Sequence, residues 1–212
     1  MNRIDYLFDD GGMNLLSVSA LRNIRSALPR EASLFVFRSG RPRLFAAGAD
    51  MAEMSRFTPW EAYSFAEAGQ ELFDAIERLP CVTVALIDGD CFGGALDLAL
   101  SFDLRFVTPR SRFAHPGSRL GIVTGFGGTS RWRNVLTRRA ANQLFLANRV
   151  LSATEALALG LADRVAPSHE EELLRLEGLD VRMVKELTLH AEGSTREQVY
   201  LRACATFPRT SP

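Results

Sequence analysis

Short apolar runs alternate along the chain with longer segments in which apolar residues recur at helical spacing. The short runs, rich in valine, leucine and phenylalanine, predict buried strands at 33–37, 82–88 and 104–107. The segments with helical spacing predict helices at 15–28, 93–103 and 125–136. Strands separated by helical stretches are typical of the α/β class and indicate repeated β-turn-α units.

Helix-start and helix-end signals mark the boundaries of further helices. Thr58 can cap a helix, Pro59 suits its first position, and Glu61 completes a capping box. Pro80 ends the apolar periodicity that follows. The capping device recurs in three serine–glutamate pairs: Ser152 with Glu155, Ser168 with Glu171, and Ser194 with Glu197. Gly160 then stands where a helix that began at Ser152 would end.

The composition indicates one core and excludes several classes of protein. With 212 residues, 47% of them hydrophobic, the chain can bury one sizeable domain. Lys+Arg and Asp+Glu both number 25, so the charge balance predicts no nucleic-acid partner. No window approaches the ~20 unbroken apolar residues of a membrane-spanning helix, and the N-terminus lacks a secretory signal. We therefore expect no membrane partner and a cytoplasmic location. Three widely spaced cysteines predict neither a disulfide framework nor a metal site.

Asp97 is the residue of most chemical interest, because it interrupts a helical segment that is apolar on almost every side. Burying an isolated carboxylate is costly unless it is paired, hydrogen-bonded or used in chemistry. Its place near the helix N-terminus favours the ionised form. We interpret Asp97 as a candidate base or water-orienting group, and the alternative is a side chain that only hydrogen-bonds the backbone nearby.

Two small-residue turns could supply main-chain hydrogen-bond donors. Gly93 and Gly94 precede Asp97, and the absence of side chains lets a helix-start N–H group approach a ligand oxygen closely. The second turn, FAAGADM at 45–51, precedes a short helix that Asp50 could cap. Two donors converging on a carbonyl would stabilise the oxyanion that develops when a thioester enolises. Taken singly, each turn is equally well explained as a packing or strand-to-helix turn.

Four segments, in this order and spacing, resemble the enoyl-CoA hydratase/isomerase (crotonase) family. They are FAAGADMAEM, IDGDCFGGALDLALSFDLRFV, SRFAHPGSRLGIVTGFGGTSRWRNVL and LSATEALALGLADRVAP. The match covers roughly residues 13–167. The resemblance implies a spiral of ββα units with a core at 1–167 and a shortened helical C-terminal region at 168–212. It also implies a homotrimer or a dimer of trimers.

The resemblance implies an acyl-CoA thioester as substrate, with CoA as its carrier and with no further cofactor or metal. The backbone N–H groups of Ala49 and Gly94 occupy the oxyanion-hole positions. Asp97 occupies the place of the first acid/base carboxylate. Further substrate-binding positions are implied at Ala47, Gly48, Gly93, Pro116 and Gly117. The adenine and pantetheine are expected near the segment before Gly48.

Three departures from the family pattern bear on the reaction. Gly117 stands where the hydratases carry a second catalytic glutamate, and Thr124 replaces a proline. Adding water across a double bond needs one group to activate water and another to protonate carbon, so isomerase, decarboxylase or hydrolase chemistry stays open. Ala52 replaces a lysine that contacts phosphate, and Arg41 or Arg43 could compensate.

His115 lies two residues before the lost carboxylate position. Imidazole titrates near neutral pH, so His115 is a candidate replacement for that carboxylate, and a packed or exposed histidine is the alternative interpretation.

Two hypotheses of different classes follow. The first is an enzyme of the enoyl-CoA hydratase/isomerase type that stabilises an enolate, with Asp97 as its base. The second is a non-catalytic relative that binds acyl-CoA or a partner protein, for which Gly117 and Ala52 argue. A serine hydrolase is disfavoured, because no serine stands in a Gly-x-Ser-x-Gly elbow.

Overall fold

The computed structural model describes residues 2–177 and Lys185. Its strands are β1 (Arg3–Phe8), β2 (Leu15–Leu16), β3 (Leu34–Ser39), β4 (Leu44–Ala46), β5 (Gly48–Ala49), β6 (Val82–Ile87), β7 (Asp90–Phe92), β8 (Leu104–Val107), β9 (Arg112–Ala114), β10 (Leu151–Ser152) and β11 (Arg164–Val165). Its α-helices are α1 (Val18–Ser26), α2 (Met51–Met54), α3 (Pro59–Glu77), α4 (Gly94–Ala99), α5 (Gly128–Arg131), α6 (Arg138–Ala141), α7 (Ala153–Ala158) and α8 (Glu170–Glu177). Short 3₁₀ turns cover Pro116–Leu120 and Trp132–Asn134, and a π-helical turn covers Asn142–Leu146.

Two sheets and the helices between them repeat a ββα unit. The large sheet is parallel throughout, with strand order β1-β3-β6-β8-β11. A smaller sheet has the order β10-β9-β7-β4. The chain places β3, β6 and β8 in the large sheet, continues into β4, β7 and β9 of the small one, and then enters a helix or 3₁₀ turn. In each unit, the second strand therefore lies in the small sheet, and the helix or 3₁₀ turn starts after the end of that strand.

The main core fills the space between the sheets and α3, α4 and α7. Its largest fully buried side chains are aromatic: Phe35, Phe37, Phe45, Phe73 and Phe113. A smaller cluster covers the other face of the large sheet, where Leu173 of α8 packs with Val36, Val84 and Phe106. Burial on both faces explains the nearly continuous apolar runs of the central strands β3 and β6.

The strands predicted from uninterrupted apolar runs and two of the four predicted capping boxes are confirmed. β3, β6 and β8 coincide with the predicted strands to within two residues at either end. Thr58 and Glu61 form the predicted capping box at the start of α3, and Ser152 and Glu155 form the one at α7. Gly160 adopts a left-handed φ of 81° just after α7. The α/β class and the repeated ββα arrangement are therefore as expected.

Three helix predictions were wrong in extent. The helix expected over 15–28 begins only at Val18, capped by Ser17, because the preceding Leu15–Leu16 segment pairs with β5. The helix expected over 93–103 is α4, which ends at Ala99. The helix expected over 125–136 begins at Gly128, where Gly127 has a left-handed φ of 88°, and tightens into a 3₁₀ turn after Arg131.

The C-terminal expectations are tested only in part. α8 begins at Glu170, so Ser168 lies one residue too early to cap it in the predicted box, although its hydroxyl accepts from the Glu170 N–H at 3.5 Å. The Ser194–Glu197 device lies outside the described residues. The division into a core at 1–167 and a region at 168–212 stays a prediction.

Candidate active site

A largely apolar cavity of about 450 Å³ lies between α3 and the segment that joins β9 to α5. Its walls come from side chains of α2, the loop after it, α3 and the 115–126 segment, among them Met54, Phe57, Tyr63, Phe65, Leu120 and Phe126. The backbone of β5 and the start of α4 complete the cavity wall through Gly48, Ala49, Gly93 and Gly94. The cavity therefore combines apolar side chains with main-chain polar groups at one end.

The turns at Gly48 and Gly94 approach each other without intervening side chains. Gly48 has φ +106°, and a Cβ there would lie 2.8 Å from the Phe92 carbonyl and 3.2 Å from the Gly94 nitrogen. A Cβ at Gly94 would lie 3.4 Å from the Ala49 nitrogen. Two backbone segments distant in sequence thus meet where glycine permits the contact.

The local backbone gives the Ala49 N–H no partner in β2 and the Gly94 N–H no partner within α4. The Asp50 N–H donates to the Leu16 carbonyl at 3.2 Å, and successive amides of a strand point to opposite sides, so the Ala49 N–H faces away from β2. Gly94 is the first residue of α4, where an N–H has no partner within the helix. It follows Gly93, whose φ of 56° and ψ of −125° suit glycine. Ala49 and Gly94 both line the cavity.

Asp97 is completely buried in α4 and is not among the residues that line the cavity. The Thr124 hydroxyl donates a hydrogen bond to Asp97 Oδ2. Asp97 Oδ1 faces His115 Nε2 at 3.3 Å. His115 and Thr124 both line the cavity, so they stand between the carboxylate and any ligand.

The surroundings of Asp97 leave little room for other groups. A Cβ at Gly128, the first residue of α5, would overlap Asp97 Oδ1. The buried thiol of Cys91 lies in the same region, and burial together with the charges of Asp97 and Asp90 raises its pKa well above the ordinary value. Cys91 is therefore held as a neutral thiol.

The structure places most of the other predicted site residues at the cavity. Ala47, Pro116 and Gly117 line it together with Gly48 and Gly93. A Cβ at Gly117 would lie 2.7 Å from the Ile122 carbonyl, so this backbone path excludes a side chain in the lost carboxylate position.

The two predicted arginine contacts are not part of this cavity. Arg41 lies 3.8 Å from Asp9, and Arg43 is an exposed residue with φ 60°. Neither guanidinium lines the cavity, and their proposed role toward phosphate stays a prediction.

Sequence reasoning missed Thr124 as a partner of Asp97 and missed the apolar wall contributed by α2 and α3. Thr124 was noticed only as a departure from proline. The sequence feature that could have indicated this contact was a hydroxyl side chain next to a Gly-rich turn. The wall could have been inferred from Phe57, Tyr63 and Phe65, which cluster around the capping box of a long amphipathic helix.

This fold and this cavity define an α/β protein of crotonase architecture. The family model for enoyl-CoA hydratase/isomerase matches residues 18–191, and the chain belongs to that family. It is 34% identical to crotonyl-CoA hydratase of Syntrophomonas wolfei over 78% of its own length. It is 32% identical to mitochondrial methylglutaconyl-CoA hydratase of Mus musculus over 76% of its length. An enoyl-CoA hydratase structure from Bacillus anthracis shares the fold, with a TM-score of 0.87 and 23% identity over 98% of this chain and 89% of that one.

The chain is shorter than the curated relatives that it matches. The aligned part spans 65% of the Syntrophomonas protein and 52% of the mouse protein. Within the described residues, no helix has both the length and the apolar character needed to cross a bilayer.

Proposed function

We propose that this protein binds an acyl-CoA thioester and stabilises its enolate through the main-chain N–H groups of Ala49 and Gly94. The observation that carries the proposal is the approach of these two amides at one end of a largely apolar cavity. N–H groups fixed by the fold can bind an oxyanion without reorganising, which is the condition for strong stabilisation of a developing negative charge. The apolar walls suit the acyl chain.

The titratable side chains of the site support a reaction that uses a single proton-transfer centre. Asp97, with His115 beside it, supplies that centre, while Gly117 leaves the second carboxylate position empty of any side chain. Hydration needs separate groups for water and for carbon. We therefore favour double-bond isomerisation or another enolate reaction, such as decarboxylation, over hydration. The relatives named as hydratases support the acyl-CoA class of substrate.

A panel of acyl-CoAs in heavy water tests the proposal. The pure protein is incubated with saturated, 2-enoyl-, 3-enoyl- and 3-ketoacyl-CoA esters, and the products are analysed by mass spectrometry. We expect deuterium at the α-carbon, or a shifted double bond, without net addition of water. Loss of carbon dioxide from an added malonyl-type ester would identify a decarboxylase. Binding of the panel without any conversion would contradict the proposal.

A matched pair of variants tests the donor at Gly94. Proline is tolerated at the first position of a helix and lacks the N–H, so Gly94→Pro removes the donor. The ψ of −125° at Gly93 keeps the preceding residue out of the helical region that proline disfavours. Gly94→Ala is the control, because it adds a Cβ 3.0 Å from the Phe126 ring but keeps the N–H. Loss of one such donor lowers kcat by about 10²–10³. Wild-type activity in Gly94→Pro would remove Gly94 from the oxyanion hole.

A second candidate function is a non-catalytic acyl-CoA-binding protein of the same fold. Gly117 and Ala52 favour it, since each replaces a functional side chain of the family pattern. It predicts that the panel binds to the protein and is recovered unchanged.

We also propose that the chain assembles as a homotrimer or a dimer of trimers. Large apolar side chains exposed near the cavity mouth, Tyr63, Leu120 and Val123, support an interface there.

A further inference from the structure

We propose that His115, held by Asp97, is the group that moves the substrate proton, and that Asp97 acts through it. This inference rests on the proposed function and assigns the proton-transfer atom within the same site. Its starting point is that the Asp97 carboxylate is fully buried and does not line the cavity, whereas His115 does.

Each of the two side chains has one buried polar atom without a hydrogen-bond partner, and these two atoms face each other. Asp97 Oδ1 and His115 Nε2 are buried and have no hydrogen-bond partner of good geometry in the described part of the chain. They face each other at 3.3 Å. Leaving both groups unsatisfied is costly, so a small closure into an Nε2–H···Oδ1 hydrogen bond is favoured. Catalytic hydrogen bonds are commonly long before substrate binds and tighten afterwards.

The other nitrogen of the imidazole, Nδ1, lies beside Gly117, which lines the cavity. A Cβ built at Gly117 would lie 3.4 Å from His115 Nδ1 and 3.3 Å from Cε1, so this edge of the ring lies beside a cavity-lining glycine. The centroid of the His115 ring lies 4.8 Å from the centroid of the Phe145 ring, and this packing limits rotation of the imidazole. Gly117 thereby leaves space for the imidazole where the family pattern has a carboxylate side chain.

The remaining contacts of Asp97 fix its own position. Thr124 donates to Oδ2, and the backbone of Gly128 closes the side next to Oδ1. The carboxylate can therefore hold the Nε2–H tautomer of His115 and stabilise the positive charge that develops when Nδ1 accepts a proton.

The proton-transfer step balances without any co-reactant. His115 Nδ1 takes a proton from the α-carbon, the C–H bond breaks, and its electron pair moves into the enolate whose oxygen is bound by the Ala49 and Gly94 amides. The resulting imidazolium faces the Asp97 carboxylate. The same Nδ1–H then returns the proton to the α-carbon, or to the γ-carbon when a 3-enoyl ester becomes a 2-enoyl ester. His115 is thus the catalytic residue and Asp97 a positioning residue.

The test combines exchange kinetics with histidine NMR on the full-length protein. Deuterium uptake at the α-carbon of butyryl-CoA and conversion of 3-butenoyl-CoA are measured for wild type, His115→Gln and Asp97→Asn. His169→Gln is the matched control, because His169 is a second buried histidine outside the cavity that contacts the Val107 carbonyl through Nε2. Circular dichroism verifies that each variant is folded.

We expect His115→Gln to lower kcat by about 100-fold or more, with little change in KM, since general acid–base groups contribute about 10²–10⁴ in rate. Asp97→Asn should lower kcat as well and should abolish the Nε2–H preference of His115, which ¹⁵N chemical shifts report. His169→Gln should retain wild-type rates. A His115→Gln variant that keeps its rate while Asp97→Asn loses it would overturn the proposal, because Asp97 would then act directly.

Failure of the proposed function is distinguishable from failure of this assignment. If wild type exchanges no proton with any ester of the panel, the enolate chemistry and the role of His115 in it both fall. If wild type is active but the ¹⁵N shifts of His115 are the same in wild type and Asp97→Asn, only the pairing of the two residues is refuted.

Discussion

The backbone of Gly128 lies directly against the Asp97 carboxylate, so a single methyl group there tests how closely the site is packed. We predict that Gly128→Ala forces Asp97 away from Thr124 and His115, since the added Cβ would overlap Oδ1. Overpacking of this kind costs about 1–3 kcal/mol of unfolding free energy.

Urea unfolding and the α-proton exchange assay measure the two effects of Gly128→Ala. Gly12→Ala is the control, because its Cβ would make an ordinary 3.5 Å contact with Asp10. Gly128→Ala with wild-type stability and wild-type exchange would show that the carboxylate is free to move.

At the residue scale, the sequence singled out candidate site residues but not the contacts that they make. Asp97 stood out because a carboxylate interrupted an apolar helix, and Ala49 and Gly94 stood out through the small-residue turns. The contact of Asp97 with Thr124 joins residues 27 positions apart and depends on the course of the loop after β9. No local pattern encodes such a course, so the neighbours of Asp97 could not be predicted.

Asn14 links three strands near the turn that carries Ala49. Its side-chain amide lies 2.9 Å from the Phe8 carbonyl at the end of β1, 3.1 Å from the Phe45 carbonyl of β4 and 2.8 Å from Ser39 Oγ of β3. Asn14 is completely buried and has a left-handed φ of 51°. Asparagine tolerates this conformation, and its amide supplies two N–H donors, enough for the two buried carbonyls of Phe8 and Phe45.

We predict that Asn14→Gly destabilises the protein, because glycine keeps the backbone conformation and removes the donors. Each buried group left unsatisfied costs about 1–3 kcal/mol. Chemical denaturation measures the loss. Asn148→Gly is the control, since Asn148 has a similar φ of 50° but makes its side-chain hydrogen bonds at the exposed surface. Equal losses in the two variants would contradict a strand-linking role for Asn14.

At the element scale, the predictions that depended only on residues close in sequence were the accurate ones. The predicted strands needed only apolar runs, and the starts of α3 and α7 needed only residues within one turn. The start of α1 was misplaced because Leu15 and Leu16 continue its apolar pattern yet pair with β5, a partner distant in sequence. The helix after β9 was predicted as continuous, but Gly127 and Gly128 shorten it.

The exposed apolar side chains of the whole molecule lead to a prediction about assembly. Val123 is 80% exposed, and Trp60, which stacks on Tyr63, is 73% exposed. Such side chains clustered near one cavity mouth are typical of a surface that is covered in an oligomer. Light scattering coupled to size exclusion should give about 70 kDa, three times the 23.4 kDa chain, or twice that mass for paired trimers. A monomer mass at micromolar concentration would contradict the assembly.

Main-chain groups and side chains contribute different parts of the cavity, and this difference has an evolutionary consequence. The amides of Ala49 and Gly94 belong to the main chain, whereas Met54, Phe57 and Tyr63 face the cavity from α2, the loop after it and α3. Under the proposed function, mutations that resize those side chains would change which acyl groups fit and would leave the peptide bonds opposite them unchanged. The preferred acyl group could then change over evolutionary time while the two N–H donors are retained.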